Sequence, residues 1–331
     1  MSEADGRGNG TSSSGPERRG PAPVTPRPSS PTRPGEPRAA TLSEVLRQAT
    51  MRLTDAGVTS PRADAATLLA FVLETDTGEL HRRVILGRDL PAELAPRFAE
   101  LLDRRCAREP LQHLTGTAPF RRLDLAVGPG VFVPRPETEV VAGLAIEALA
   151  GGGVCVDLCT GSAAIALAVA DEVPGATVHA VELSPAAVTW AAANIEATGL
   201  PVTLHEDDVT GRLDSLAELR GRVDVVVSNP PYIPSDAVPV DVEVADHDPT
   251  EALYGGGVDG LEIPRAVIEA AAALLVEGGM IVMEHADVQS DVLVAVLAAD
   301  ERWRDVAAHA DLTGRPRAVS ARRTSIHQVA S

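Results

Sequence analysis

The chain is predicted to be an α/β protein, with a doubly wound, Rossmann-like domain over residues 134–323 preceded by a small all-α domain. Three observations carry this. From Cys155 onward, short apolar runs alternate with segments of helical period. Those runs are apolar almost throughout, as in parallel strands buried on both faces. Residues 41–108 carry helix caps and helical spacing without a strand signal.

Residues 1–40 are Pro, Gly, Ser and Arg with almost no apolar content. Such a segment cannot bury enough surface to offset its ordering entropy, so a disordered tail is expected. Order begins at "TLSEVLRQATMRL", where Thr41 and Glu44 have capping-box spacing and Leu42, Val45, Leu46, Ala49 and Leu53 keep helical period. Gly57 ends that helix. "SPRADAATLLAFVL" opens the next, with Ser60 as N-cap and Pro61 at the first helical position. "GELHRRVIL" and Pro91–Arg105 complete a four-helix unit. Such a unit serves either for packing or dimerisation, or to dock a substrate; the residues leave that choice open.

Over residues 109–133, Gly116, Gly128 and Gly130 punctuate alternating apolar residues, which predicts short strands or a hairpin joining the two domains. Strands follow at "VCVDL", "TVHAVEL", "VTLHE", "VDVVVSN" and "MIVMEH". Helices are expected at "AAIALAVADEV", "PAAVTWAAANIEATG" and "IPRAVIEAAAALLVEG", and residues 324–331 form a C-terminal tail.

Composition excludes several classes. No apolar run approaches the roughly 20 residues that span a bilayer, and the first forty residues lack a signal-peptide core, so a cytoplasmic protein is expected. Cys106, Cys155 and Cys159 are too few for a disulfide framework, and no cluster completes a zinc site, so no metal is expected. All 29 basic residues are Arg, yet the net charge is −18. That weakens a bare nucleic-acid backbone as the main partner, and aromatics at 2% leave little for base stacking.

In a doubly wound sheet, ligands bind outside the carboxyl ends of the strands. Asp157 ends the first strand, and Cys159, Thr160, Gly161, Ser162 and Ala163 form the turn into a helix. Glu182 ends the second strand, where a carboxylate can accept ribose hydroxyls; Asp208 and Val209 follow the third. Three acidic strand ends suit a nucleoside bearing no phosphate. A pyrophosphate would want G-x-G-x-x-G and an open helix N-terminus. That favours S-adenosylmethionine over a dinucleotide. Each element has a plainer reading alone: Asp157 as a helix cap, "TGSA" as an ordinary turn, Glu182 as one more acidic strand end.

"NPPY" closes the fourth strand at the same crevice. Asn229 offers a carbonyl oxygen, and Pro230, unable to donate, presents its own carbonyl from a backbone of fixed φ. Pro231 pushes Pro230 toward an extended conformation. Two fixed acceptors can take both hydrogens of an –NH₂, while Tyr232 adds a flat face. This suits an adenine or guanine amino group or a glutamine side chain. The stretch Val223–Pro264 then discriminates: it has no Arg, and Asp224, Asp236, Asp241, Glu243, Asp246, Asp248, Glu251, Asp259 and Glu262 are acidic. Several are expected beside the reacting group, where they would repel phosphates and welcome a basic peptide loop; a merely solvated acidic loop is the plainer reading.

Taken together, these motifs resemble the HemK/PrmC family, the glutamine methyltransferases of peptide chain release factors. "REPLQHLTGTAPFRRLDLAVGPGVFVPRPETE", "DLCTGSAAIALA", "VELSP", "SNPPYIP", "DPTEALYGGGVDGL" and "GRPRAVSARR" follow in the family's order over about residues 41–323. The resemblance implies a class I S-adenosylmethionine-dependent methyltransferase domain, with methylation of the glutamine side-chain nitrogen in a Gly-Gly-Gln loop and a helical domain that helps dock the release factor. It implies that Thr160, Gly161 and Ser162 line the methionine part of the cofactor, Glu182 holds the ribose, Asp208 and Val209 flank the adenine, Asn229 to Tyr232 hold the glutamine with Asn229 also against the cofactor, and the "PRPETE" loop closes over the site. Three departures stand out. Cys159 and Ala163 replace the first and third glycines of the family's cofactor turn, which is harmless unless a positive φ is needed there. Val209 stands where an aromatic is common, and His247-Asp248-Pro249 replaces Glu-Pro. A ribosomal-protein glutamine, an adenine, or a non-catalytic cofactor-binding role in translation are the alternatives.

Overall fold

The computed structural model describes residues 40–239 and 241–325. The tail expected over residues 1–40 lies outside the described residues but for Ala40, as does most of the C-terminal tail. Helices α1 (Leu42–Asp55), α2 (Pro61–Val72), α3 (Thr77–Ile85), α4 (Ala95–Cys106) and α5 (Leu111–Thr115) come first. The Thr41–Glu44 capping box forms, with the Glu44 N–H donating to Thr41 Oγ1 at 3.2 Å and the Thr41 N–H to Glu44 Oε2 at 2.9 Å. Ser60 occupies the N-cap of α2 but makes no side-chain cap bond; Pro61, whose missing N–H needs none, opens the helix. Pro91–Leu94 form a turn ahead of α4 instead of its first residues. Leu53, Leu68, Leu69 and Leu80 form the fully buried centre of this helical unit.

A hairpin, β1 (Thr117–Phe120) and β2 (Leu123–Ala126), follows in the region expected to hold one, then α6 (Thr138–Ala148). The winding continues with β3 (Gly153–Leu158), α7 (Ala164–Glu172), β4 (Ala176–Glu182), α8 (Pro185–Thr198), β5 (Val202–Glu206) and β6 (Val223–Ser228). Two short helices, α9 (Val242–His247) and α10 (Thr250–Leu253), precede α11 (Glu262–Leu274), β7 (Leu275–Glu284), α12 (Ser290–Ala298), β8 (Trp303–Ala310) and β9 (Pro316–Arg323). The helix expected to run to Gly278 ends at Leu274, because Leu275 already pairs with Val223.

The seven strands run β5-β4-β3-β6-β7-β9-β8. The first five are parallel; β9 and β8 add antiparallel at one edge. One face of the sheet packs on α6, α7 and α8 through Cys155, Val225, Val227 and Val282, and the other on α11 and α12 through Val156, Val226, Ile281 and Met283. The winding direction reverses between β3 and β6, so the crevice for a ligand falls at their carboxyl ends.

Among the described residues no helix is long and apolar enough to cross a membrane.

Candidate active site

Parallel register lines up the strand ends. Leu158 pairs with Val181 and with Ser228, Glu182 with Glu206, and Ser228 with Met283. The next residues, Cys159, Asp207, Asn229 and Glu284, therefore emerge along one edge. They open into a cavity of about 1050 Å³. Its lining includes Cys159, Thr160, Gly161, Ser162, Glu182, Asp208, Val209, Asn229, Pro230, Pro231 and Tyr232. Of the residues singled out in the sequence, Asp157 and Ala163 stand behind this lining.

Asp157 shows why. It is fully buried on the α7 side of the sheet, and its Oδ2 accepts from Thr160 Oγ1 at 2.5 Å and from the Ala166 N–H at 3.1 Å. Ala166 is the third residue of α7, whose N-cap position, Ala163, has no side chain able to cap. Asp157 thus caps the helix from the neighbouring strand, as its plainer reading had it. Burial first, then the nearby Glu182, pushes its carboxyl up to about 7. With a buried carboxyl group already on this N-terminus, a pyrophosphate has no cradle there.

The turn runs through three left-handed residues, two of which are not glycine. Cys159, Gly161 and Ala163 have φ of 60°, 58° and 65°. The left-handed region costs an ordinary residue roughly 1–2 kcal/mol, so Cys159 and Ala163 hold a strained conformation that glycine would adopt freely. Asn194 holds the turn from outside, donating from Nδ2 to the carbonyls of Ser162 and Ala126, each at 3.0 Å. Burial raises the Cys159 thiol, as do Glu182 and Asp157, so it faces the cavity as a neutral group, not a nucleophile.

Glu182 Oε2 accepts from the Gly161 N–H at 2.8 Å, and Oε1 from the N–H groups of Leu183 and Ser184 at 3.0 Å. Three of its four lone-pair directions are filled, leaving capacity on Oε2 for a ligand hydroxyl. Asp208 Oδ1 holds Thr210, and its side chain reaches the same cavity beside the apolar Val181, Ile165 and Val209. Carboxylates, a tight turn and apolar walls fit the nucleoside and methionine parts of S-adenosylmethionine.

The neighbouring strand end carries "NPPY". Asn229 Nδ2 donates to Thr138 Oγ1 at 3.3 Å, and the Tyr232 hydroxyl donates to Glu284 Oε1 at 3.4 Å. The segment after it is pinned by the "EALYGGGVDGL" stretch. The N–H groups of Tyr232 and Ile233 donate to the Leu253 carbonyl at 3.2 and 2.8 Å. A Cβ on Gly255 would run into the carbonyls of Gly260 and Pro231, and one on Gly260 into that of Tyr232. Backbone contact this close admits only glycine.

Two groups escaped sequence reasoning. Glu284, 2% exposed, and Arg317 of β9 both line the cavity. Burial first raises Glu284 to about 7, against the opposing pull of the Thr138 hydroxyl and the Arg317 cation. The "PRPETE" loop contributes Pro134 through Thr138, locked by Arg135 Nη2 to Asp248 Oδ2 at 2.9 Å. Asp248 thus does serve as a carboxylate partner despite its short side chain. The helical unit also reaches the cavity, through Thr59 and Ser60.

The acidic stretch needs correction. Of its nine carboxylates only Asp241 and Glu251 line the cavity. Asp224 bonds the Val154 N–H near the other end of the sheet, Glu243 and Asp248 are paired with arginines, and Asp259 is paired with Arg265. The site is acidic all the same, because Glu137, Glu182, Asp207, Asp208 and Glu284 join those two against Arg135 and Arg317.

Residues 44–116 match the family description "PrmC N-terminal domain" and residues 122–245 match "Methyltransferase small domain". The release factor glutamine methyltransferase of Streptomyces coelicolor is 50% identical over 287 residues, covering 85% of this chain and 98% of that one. The chain belongs to the release factor glutamine methyltransferase family. Members from Mycolicibacterium smegmatis, 47% identical over 283 residues, and Bifidobacterium longum, 44% over 289, cover 85% and 83% of this chain and 98% and 97% of their own lengths. Membership of this family agrees with the fold class and the resemblance drawn from the motifs.

Proposed function

We propose that the chain transfers a methyl group from S-adenosylmethionine to the side-chain amide nitrogen of the glutamine in the Gly-Gly-Gln loop of peptide chain release factors, in the cytoplasm. The observation that carries this is the pairing of Leu158 with Ser228, which sets the turn at Cys159–Ala163 directly beside the acceptors at Asn229–Pro230.

When bound, the cofactor supplies an electrophilic methyl carbon. Thr160, Gly161 and Ser162 line its methionine part within the turn that Cys159 and Ala163 complete and Asp157 caps. Glu182 holds the ribose, and Asp208 and Val209 flank the adenine. Asn229 and Pro230 accept the two amide hydrogens of the glutamine, with Tyr232 against its planar face. An amide lone pair is delocalised and a poor nucleophile. Gripping both N–H bonds turns it toward the electrophile, and positioning of this kind is worth about 7–11 kcal/mol in favourable cases; as the new N–C bond replaces the sulfonium C–S bond, one of the two amide protons is released to solvent. The acidic lining supports a protein loop over a phosphate-rich substrate. The helical unit over residues 41–108 docks the release factor, with Thr59 and Ser60 reaching the cavity, and the "PRPETE" loop closes the site.

Incubation with radiolabelled S-adenosylmethionine tests this. Release factor should take up label at its loop glutamine, located by mass spectrometry, and its Gln→Ala variant should take up none. Label on DNA, or on a ribosomal protein in place of release factor, would overturn the assignment.

A further inference from the structure

We infer that Arg108 is a positioning residue for the release factor: it fastens the helical unit to α9, and the wall these two share receives the substrate loop. The inference rests on release factor being the substrate, and extends that reading to a residue behind the cavity lining.

Arg108 stands where a helix customarily ends on glycine. The Arg108 N–H donates to the Arg105 carbonyl at 3.0 Å and the Glu109 N–H to the Arg104 carbonyl at 3.2 Å, the paired bonds that close α4 around a left-handed residue. Arg108 adopts that conformation, with φ of 69°. Glycine would do so freely, whereas any side chain is strained there. The Arg108 side chain makes three bonds that glycine could not. Its Nε donates to Glu243 Oε1 at 2.8 Å, its Nη2 to Glu243 Oε2, and its Nη1 to the Gly57 carbonyl at 3.1 Å. Only a planar guanidinium can grip both oxygens of a carboxylate and still serve a third acceptor.

Both ends of this grip adjoin the cavity. Gly57 follows α1 and lies two residues before Thr59, which lines the cavity together with Ser60. Glu243 belongs to α9, where Asp241 and Val244 on either side of it line the same cavity. Asp241 Oδ1 accepts the Glu243 N–H at 3.2 Å and so caps α9. Arg105 Nη2 adds a bond to Glu243 Oε1 at 2.8 Å from the buried side. At the other end of α9, Asp248 is held by Arg135 of the "PRPETE" loop. A helix of six residues has little stability of its own, so these side chains decide where it sits. It forms a strut between the helical unit and the loop beside the site.

This wall belongs to the acceptor side of the cavity. The residues assigned to the cofactor follow β3, β4 and β5, and neither α9 nor the helical unit contributes to them. "NPPY", by contrast, precedes α9 in the chain, and α10, which follows α9, holds its backbone through the Leu253 carbonyl. The wall presents the Thr59 and Ser60 hydroxyls and the Asp241 carboxylate, a polar and acidic face that suits a peptide loop with basic flanks. A wall that meets the substrate equally in the ground and transition states governs KM and leaves kcat alone.

The test uses the full-length enzyme, labelled S-adenosylmethionine and release factor, with wild type, Arg108→Gly, Arg108→Lys and Arg52→Ala in one series. Glycine suits the left-handed backbone, so Arg108→Gly should fold, as thermal melting will report, while losing the grip on Glu243. Its KM for release factor should rise about tenfold, the scale of one lost charge-assisted hydrogen bond. Its kcat, and its cofactor affinity by calorimetry, should stay within about twofold of wild type. Arg108→Lys keeps the charge without the fork and should stand nearer Arg108→Gly than wild type. Arg52→Ala, which breaks an exposed pair with Asp103 elsewhere on the helical unit, should leave KM unchanged. A wild-type KM in Arg108→Gly or Arg108→Lys, or a cofactor affinity or kcat that falls in step with the rise in KM, would overturn the inference while leaving the assigned reaction intact. Absence of transfer by wild type itself would overturn both.

Discussion

Asn229→Ala is expected to slow methyl transfer roughly a hundredfold or more, because a displacement near 1 Å at a reacting centre already costs that much. Alanine removes one of the two acceptors and frees the glutamine amide to rotate about the remaining bond to the Pro230 carbonyl. The Cys159–Ala163 turn, Glu182, Asp208 and Val209 are untouched, so cofactor affinity should stay within a few-fold. Single-turnover transfer and calorimetric titration separate the two effects. Undiminished transfer would contradict the role given to Asn229, and a collapse of cofactor binding would move Asn229 into the cofactor cradle.

Arg105→Ala is expected to cost about 3–5 kcal/mol of stability and to lower the melting temperature by roughly 10 °C. Arg105 sits between Asp64 of α2, with Nε to Oδ2 at 2.8 Å, and Glu243 of α9, with Nη2 to Oε1 at 2.8 Å. Arg108 Nε reaches the same Glu243 oxygen at 2.8 Å. Arg105, Asp64 and Glu243 are all below a tenth exposed, so removing the guanidinium strands Asp64 in a dry site. Burial alone would raise the Glu243 carboxyl, but Arg108 and Arg105 outweigh it and hold it well below its ordinary 4.5. A folded-state value below the unfolded one means that Glu243 stabilises above about pH 4.5 and loses that contribution as acid titrates it. The deficit of Arg105→Ala should therefore narrow in acid. The exposed pair Arg52–Asp103 serves as control, since Arg52→Ala should cost no more than about 1 kcal/mol. Equal melting of Arg105→Ala and wild type would remove the clamp from the account. Its functional importance is local: Asp241 and Val244, beside Glu243, line the cavity.

The sequence made the sheet centre legible because strands buried on both faces are marked by unbroken apolar runs, and "VCVDL" and "VDVVVSN" became the central β3 and β6. The antiparallel β8 and β9 left no such mark: in β8 only Trp303 is buried. Arg317 was unreadable for the same reason. It reaches the site only because β9 runs back along β7, a pairing that residue types do not announce. The cofactor turn and "NPPY" were legible because each is a short local motif at a strand end. Asp157 shows the limit of that logic. A carboxylate at a strand end can turn toward the ligand or toward the helix that follows, and here the uncapped Ala163 drew it to the helix. The acidic stretch misled in another way, since neighbours in sequence such as Glu243 and Asp248 are drawn off by Arg108 and Arg135, out of reach of sequence-local reasoning.

A structure of the enzyme with S-adenosylhomocysteine and a Gly-Gly-Gln peptide tests the central claim most directly. The account predicts the glutamine nitrogen within hydrogen-bonding distance of Asn229 Oδ1 and the Pro230 carbonyl, facing the cofactor sulfur. A glutamine nitrogen bound elsewhere, or Asn229 presenting its Nδ2 to the substrate, would contradict it.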